Sequence, residues 1–243
     1  MNIATQSAGI GIEGGTGVIE HNVIRSNVTS PTSNHGGINV GGGSNVQIRR
    51  NWISDNSGAG LRVWGASARL ENNLIVKNRP GGAQVLTGGN QPVQIVNNTI
   101  VGLGSSSTDD GIYMGAEGTT VFTATNNIVI SNRVGINSRS AITPTISHNN
   151  VWNNHAGNVE GQAVGAFGYS VDPRFVDAAN DNYHLGPLSP MADAGLNTGA
   201  PTVDYDGDAR PFDGNGDGTA TVDVGADERM STTYYLRLPL VLR

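Results

Sequence analysis

Short segments in which apolar and polar residues alternate recur along the first two thirds of the chain. One set consists of a glycine followed by an apolar-x-apolar triplet, at residues 9–12, 37–40, 60–63, 82–85, 111–114 and 135–138. A second set of short alternating segments follows, at residues 46–48, 68–70, 93–95 and 122–124. Alternation with a period of two predicts β-strands whose odd and even residues face opposite sides.

A third set contains asparagine and resembles Asn-Asn-x-Ile-x-x-Asn. It occurs at residues 21–27, 50–56, 72–78, 97–101, 126–132 and 149–154, at spacings of 22 to 29 residues. Three strands in a repeat of that length predict an all-β solenoid, a parallel β-helix of about six turns within residues 1–154. The residues expected to point inward on the asparagine-bearing strand are Ile24, Ile53, Ile75, Ile100, Val129 and Trp152.

The asparagines themselves fall at equivalent positions of successive repeats. We predict one ladder of stacked side-chain amides at Asn22, Asn51, Asn73, Asn98, Asn127 and Asn150, and a second at Asn27, Asn56, Asn78 and Asn132. Buried amides need hydrogen-bond partners, and stacking on the next turn supplies them. These asparagines are therefore interpreted as structural residues and not as ligands.

The outer face of the asparagine-bearing strand is predicted to be too apolar for contact with water. Its members are Val23, Trp52, Leu74, Thr99 and Ile128, with Val76, Val101 and Ile130 in a second register. Contiguous exposed apolar patches of more than a few hundred Å² usually mark contacts. We expect the C-terminal tail at residues 231–243 or the cap at residues 155–230 to cover this face, the tail being the nearest candidate. The alternative is a second protein chain, which includes self-association here or at an uncapped first turn.

Composition agrees with a turn-rich β protein. The chain of 243 residues has 35 glycines and no cysteine, which excludes a disulfide framework and cysteine-ligated zinc. The net charge is −6, but residues 155–230 carry thirteen acidic and three basic residues, so the acid lies near the C-terminus. Nothing resembles a basic nucleic-acid footprint, and no segment has transmembrane length.

The repeat units resemble those of bacterial right-handed parallel β-helix proteins, which include pectate and alginate lyases, epimerases, glycosidases and surface proteins. Residues 172–177, 183–185, 189–195 and 213–228 are similar to the C-terminal region of secreted β-helix proteins of the "choice-of-anchor" type. Residues 235–243 resemble the tail of exported proteins of filamentous green non-sulfur bacteria. The resemblance implies an extracellular or cell-surface protein, and the abrupt first repeat suggests that earlier turns are missing.

The chain after residue 154 breaks the repeat spacing. We interpret residues 155–230 as an irregular acidic cap on the end of the solenoid and residues 231–243 as an apolar tail. Within the cap, Asp213, Asn215 and Asp217 alternate before a glycine, as oxygen ligands do in calcium loops, and Asp223 is a further candidate ligand. Aspartate–glycine loops also form ordinary turns, so both interpretations stay open.

Two groups of residues carry the candidate chemistry. Outward positions on the glycine-led strand predict a carbohydrate-binding stripe of Asn39, Arg62, Gln84, Tyr113 and Asn137, with Trp64 beside it. The paired carboxylates of Asp109 and Asp110 are weak catalytic candidates, since neighbouring residues of a strand point to opposite faces unless the chain bends. The leading function is a non-catalytic module that binds polysaccharide or builds surface structure. The alternative is a polysaccharide lyase or glycoside hydrolase.

Overall fold

The computed structural model describes residues 3–4, 9–29, 35–86, 91–104, 109–115, 121–139, 143–161 and 168–230. Three parallel sheets form the body of the molecule, and each sheet receives one strand from each successive turn of the chain. This arrangement is the predicted parallel β-helix. Strands are numbered in chain order.

The first sheet holds the glycine-led strands β2 (Ile10–Glu13), β6 (Ile38–Gly41), β9 (Leu61–Trp64), β12 (Ala83–Leu86), β15 (Ile112–Met114), β18 (Val134–Ser138) and β21 (Gly157–Gly161). The second sheet holds β3 (Thr16–Glu20), β7 (Asn45–Arg49), β10 (Ser67–Glu71), β13 (Val93–Val96), β16 (Phe122–Thr125) and β19 (Thr145–Ser147). The third sheet holds β4 (Val23–Arg25), β8 (Trp52–Ser54), β11 (Leu74–Val76), β14 (Thr99–Val101), β17 (Ile128–Ile130), β20 (Asn149–Trp152) and β22 (Gly168–Tyr169).

Two smaller sheets lie outside this body. A parallel pair joins β1 (Ile3–Ala4) to β5 (Val28–Thr29), and an antiparallel pair joins β23 (Phe175–Asp177) to β24 (Asn182–Leu185). A single 3-10 turn, Ala178–Asn180, connects β23 to β24. No helix in the described part of the chain has the length and hydrophobicity needed to cross a membrane.

The interior of the β-helix is a stack of aliphatic side chains. Ile24, Ile53, Ile75, Ile100 and Val129 pair in register on adjacent strands of the third sheet and are buried, as predicted. The alternating apolar residues of the other two sheets complete the same core. Stacking of like residues on successive turns removes each side chain from water without a separate hydrophobic centre for each repeat.

The prediction for the last asparagine repeat is wrong by one residue. The structure pairs Val129 with Val151, so Val151 points inward and is buried, whereas Trp152 pairs with Ile130 on the outer side. Asn149 takes the ladder position instead of Asn150. The reason is the backbone, because His148 adopts the left-handed conformation that Asn126 adopts one turn earlier and thereby sets the register.

The first asparagine ladder is continuous over six turns. Each Nδ2 donates to Oδ1 of the next residue at 2.9–3.0 Å along Asn22, Asn51, Asn73, Asn98, Asn127 and Asn149. The second ladder joins Asn27, Asn56 and Asn78 and resumes from Asn132 to Asn154. Of these five residues, only Asn154 was not predicted. Leu103 occupies the ladder position in the turn between the two parts. Val76 pairs with Val101, and Asn78 and Leu103 each follow two residues later.

The residue before each member of the first ladder has a left-handed backbone. These residues are His21, Arg50, Asn72, Asn97, Asn126 and His148, with φ between 52° and 57°. Asparagine adopts this conformation at low cost. Three of them hold the C-terminal part of the chain: Asn72 donates to the Val203 carbonyl, Asn97 to the Asp223 carbonyl and Asn126 to the Leu196 carbonyl. In the doublets Asn72-Asn73, Asn97-Asn98 and Asn126-Asn127, therefore, the second amide stacks inside and the first binds outside.

Residues 175–228 cover the outer face of the third sheet, which confirms that the same chain buries it. One apolar cluster joins Ile128 and Ile130 to Leu185, Met191 and Val224, and another joins Leu74 and Val76 to Tyr183 and Ala226. Val23, on the first strand of that face, remains 69% exposed.

The placement of this segment differs from an end cap. It lies along the side of the β-helix, while β21 and β22 continue the first and third sheets beyond residue 154. The physical reason is that the apolar surface in need of cover runs along the length of the third sheet. The tail at residues 231–243 lies outside the described residues.

Candidate functional site

The predicted stripe forms a continuous row on the first sheet. Parallel pairing places Asn39 beside Arg62, Arg62 beside Gln84, Gln84 beside Tyr113, and Tyr113 beside Asn137. Glu160 on β21 extends the row by one strand. Trp64 lies at the end of β9, beside Leu86, and is 55% exposed. With about 4.8 Å between strands, the row from Asn39 to Glu160 is roughly 24 Å long.

A cleft of about 380 Å³ opens on this row. Its lining consists of Gln84, Leu86, Asp109, Asp110, Tyr113, Arg133, Asn137 and Arg139. Asp109 and Asp110 precede β15, where the chain is not yet a strand, and both line the cleft. The structure therefore brings together two sets of residues that were predicted separately, part of the stripe expected to bind carbohydrate and the carboxylate pair.

Asp110 is the centre of a polar network that crosses three turns. Its Oδ1 accepts from Arg133 Nη2 at 2.6 Å and its Oδ2 accepts from Asn137 Nδ2 at 2.8 Å. The same Asn137 Nδ2 donates to Glu160 Oε2 at 3.3 Å. Arg133 and Arg139 lie 3.7 and 3.6 Å from the Glu160 carboxylate. Burial raises the pKa of Asp110, while the bonds from Asn137 and Arg133 act in the opposite direction.

Three buried polar atoms along the stripe have no hydrogen-bond partner among the described residues. They are Asn39 Oδ1, Arg62 Nε and Asn137 Oδ1. Burial lowers the pKa of Arg62 because the charged guanidinium loses water. A buried polar group left unpaired costs about 1–3 kcal/mol, so such atoms in a row beside a cleft call for an explanation.

The predicted calcium loop is an exposed turn held by its own side chains. The Asp213 carboxylate accepts from the backbone nitrogens of Gly216, Asp217 and Gly218. Asn215 Oδ1 accepts from the nitrogen of Asp217 at 2.8 Å. These are the contacts of an Asx-type turn. Asp213 Oδ1 already accepts two of them, whereas Asp213 Oδ2 and Asn215 Oδ1 each accept one and keep a lone pair for a cation.

Asp223 lies elsewhere, in the interior of the C-terminal segment. Its two oxygens accept from the backbone nitrogens of Asp193 and Arg229, at 2.7 and 2.6 Å. It borders a buried ion pair in which Arg210 Nε lies 3.4 Å from Glu228 Oε2. The geometry gives Asp223 a structural role, and the calcium prediction then depends on Asp213, Asn215 and Asp217.

A second polar cluster appears only in the folded chain. His184 Nε2 lies 2.9 Å from Asp206 Oδ2, and the ligand atoms of His184, Asp206 and Asp227 all lie within 4.8 Å of one another. The bond to Asp206 raises the pKa of His184 to about 9. His184 is therefore protonated at neutral pH and forms an ion pair that ties β24 to the loop at residue 206.

Sequence reasoning missed several residues of the cleft. Glu160 continues the outward register of the glycine-led strands and could have been found by extending the stripe one repeat further. Arg133 and Arg139 lie just outside the two ends of β18, where strand alternation gives no direction for a side chain. Their convergence on Glu160 depends on the pairing of β18 with β21.

Comparison with known proteins agrees with this architecture. The sequence model for the right handed beta helix region matches residues 2–151. No curated protein matches the chain. The solved structure of pectate lyase Pel9A is similar, with a TM-score of 0.49 and 12% sequence identity over 93% of this chain and 70% of that chain. The family match spans more than half of the chain. The chain therefore belongs to the right-handed β-helix family.

Proposed function

We propose that this protein is an extracellular or cell-surface module that binds polysaccharide along the outward stripe of the first sheet. The cleft at Asp110 and Tyr113 is the centre of the site, and Trp64 is an outlying aromatic contact. Rigid strands hold the amide, guanidinium and aromatic groups in one row, which suits stacking and hydrogen bonding to successive sugar rings. Export of the chain is part of the same proposal and is supported by the C-terminal resemblance.

The row of unpaired buried atoms is the observation that carries this proposal. Asn39, Arg62 and Asn137 lie on one stripe, and each has a polar atom without a partner among the described residues. The interior of the same β-helix pairs its amides closely through the ladder. Five other buried atoms, Arg50 Nε, Asn72 Oδ1, Ser138 Oγ, His148 Nδ1 and Arg210 Nε, also lack a partner among the described residues. Support for a ligand therefore comes from the alignment of three such atoms in one row of the first sheet.

Affinity electrophoresis in gels that contain soluble polysaccharides tests the proposal. The wild-type protein is expected to be retarded on at least one glycan, and Trp64→Ala and Tyr113→Ala to lose that retardation. Val121→Ala is a suitable control, because Val121 is as exposed as Trp64 but precedes a strand of the second sheet. Equal migration of wild type and both variants on every glycan would refute binding at the stripe.

The alternative function is carbohydrate cleavage in the same cleft. Asp110 supports it, because burial raises the pKa of this carboxyl and because the cleft also contains Asp109 and Arg133. Incubation with neutral and uronate polymers, followed by assays for reducing ends and for unsaturated products, separates an enzyme from a binding module. Activity that is lost in Asp110→Asn but kept in Asp177→Asn would favour the enzyme, since Asp177 lies on β23 in the C-terminal segment.

We also propose calcium as a stabilising ligand of the loop at Asp213, Asn215 and Asp217. Support comes from the alternate spacing of the oxygen-bearing side chains and from their exposed position. In this proposal the ion would neutralise the carboxylates of an acidic segment and hold the turn. It takes no part in sugar binding.

A further inference from the structure

We infer that the cleft selects neutral, hydroxyl-rich glycans over uronate polymers. This inference rests on the proposed polysaccharide-binding function and names the class of sugar that the same site takes. It follows from the orientation of one amide and from the charges that are already paired around it.

The Asn137 side chain is fixed as a hydrogen-bond acceptor. Its Nδ2 donates to Asp110 Oδ2 and to Glu160 Oε2, and two carboxylates can be served only by the amino end of the amide. The oxygen must therefore be the other end, and it has no partner among the described residues although the residue is only 1% exposed. Asn137 thus demands a donor from whatever occupies the cleft.

The positive charges of the cleft are already engaged. Arg133 bonds Asp110 at 2.6 Å and lies 3.7 Å from Glu160, and Arg139 lies 3.6 Å from the same Glu160 carboxylate. Three carboxyl groups, those of Asp109, Asp110 and Glu160, surround these two guanidiniums. The group has no surplus of positive charge with which to neutralise a sugar acid. The carboxylate of a uronate would meet like charge here, and it cannot serve as the donor that Asn137 Oδ1 lacks.

A hydroxyl group satisfies both kinds of unpaired atom on the stripe. Asn39 Oδ1 and Asn137 Oδ1 need a donor, whereas Arg62 Nε needs an acceptor. A sugar hydroxyl donates and accepts at once, and a carboxylate only accepts. Hydroxyl groups occur on neutral and on uronate sugars alike, so the selectivity proposed for the cleft comes from its carboxylates, which only the acidic sugar would oppose.

Isothermal titration of the whole protein with cellohexaose and with hexagalacturonate, at low and high salt, tests this inference. We expect the neutral hexasaccharide to bind at least about tenfold more tightly than the acidic one. Asn137→Leu should weaken binding of cellohexaose by about tenfold. Gln47→Leu is the control, because it also replaces an amide side chain by leucine but at an exposed site on the second sheet. Glu160→Gln should tighten hexagalacturonate binding, since it removes a negative charge and weakens the hold on Arg139.

The outcomes separate this inference from the function on which it rests. Tighter, salt-sensitive binding of hexagalacturonate would overturn the neutral selectivity and leave polysaccharide binding intact. Cellohexaose binding that is unchanged in a folded Asn137→Leu protein, or hexagalacturonate binding that is unchanged in Glu160→Gln, would overturn the roles given to those residues. Absence of binding by both sugars would overturn the inference, and retardation in the polysaccharide gels would then decide separately whether the proposed function stands.

Discussion

Asn127 Nδ2 lies 2.9 Å from Asn149 Oδ1, one turn further along the β-helix, and the backbone nitrogen of Asn127 donates to the same oxygen at 2.9 Å. On its other side, Asn127 Oδ1 accepts both the side chain and the backbone nitrogen of Asn98. Each ladder amide thus serves two turns at once. The ladder is a row of paired polar groups in an otherwise aliphatic interior. Removal of one amide therefore takes hydrogen bonds away from the asparagines on both sides of it.

Asn127→Ala is expected to lower the free energy of unfolding by about 2–4 kcal/mol, because it leaves the buried backbone nitrogen of Asn98 without its partner and removes bonds to Asn149 Oδ1 and to the Ile95 carbonyl. Urea unfolding followed by circular dichroism measures this loss. Thr145→Ala, at an exposed residue of β19, is the control and should change stability by less than about 0.5 kcal/mol. Equal stability of the two variants would contradict the role given to the ladder.

The lateral cover provides a second prediction. Met191 is fully buried against Ile128, Ile130 and Val224, whereas Leu188, three residues earlier, is 76% exposed. Met191→Ala should cost about 2–5 kcal/mol and increase the binding of a hydrophobic dye, because it opens a cavity over the third sheet. Leu188→Ala should change neither. A dye signal that rises equally in both variants would show that the cover does not depend on this contact.

Stability should fall as the pH rises across the range in which Asp223 titrates. Burial, together with the charge of Glu228, raises the pKa of Asp223 to about 8, against about 3.9 in an unfolded chain. Between these values the native state holds a proton that the unfolded state has lost, so the free energy of unfolding decreases with increasing pH. The loss of stability that is due to Asp223 is absent below about pH 4 and complete above about pH 8.

Urea unfolding at several pH values from 4 to 9 checks this dependence. Asp223→Asn should show a shallower decline than the wild-type protein, because the amide does not titrate. Asp177→Asn, at an exposed residue, should keep the wild-type slope. If the slope of Asp223→Asn matches that of the wild type, Asp223 is not the group responsible.

Removal of calcium should lower the melting temperature if Asp213, Asn215 and Asp217 hold an ion. A ligand that binds only the native state stabilises it by about 2.7 kcal/mol at a hundred times its dissociation constant. Melting curves in excess chelator, and again after calcium is restored, test this expectation. Asp217→Asn should abolish the difference between the two curves, and an identical melt of the wild-type protein in chelator would end the calcium proposal.

The sequence by itself determined the repeating part of the molecule. Alternation, repeat length and the recurrent asparagines identified three strands per turn, the inward residues from Ile24 to Val129 and most of both ladders. These features depend on contacts between equivalent residues of neighbouring turns, so the pattern in the chain already contains the pairing in space. The error in the last repeat arose because the doublet Asn149-Asn150 was aligned with Asn126-Asn127. The left-handed turn at His148 instead makes Asn149 the equivalent of Asn127.

Only the tertiary structure decided the candidate site and the place of the C-terminal segment. Asp110, Asn137 and Glu160 belong to three different turns, and they converge because the first sheet stacks β15, β18 and β21 in register. Arg133, Arg139 and the cluster at His184 come from turns and loops, which follow no periodic pattern. The lateral position of residues 175–228 depends on contacts between residues about a hundred positions apart, such as that between Asn97 and Asp223. A local pattern cannot report such contacts, because they are made by parts of the chain that do not repeat each other.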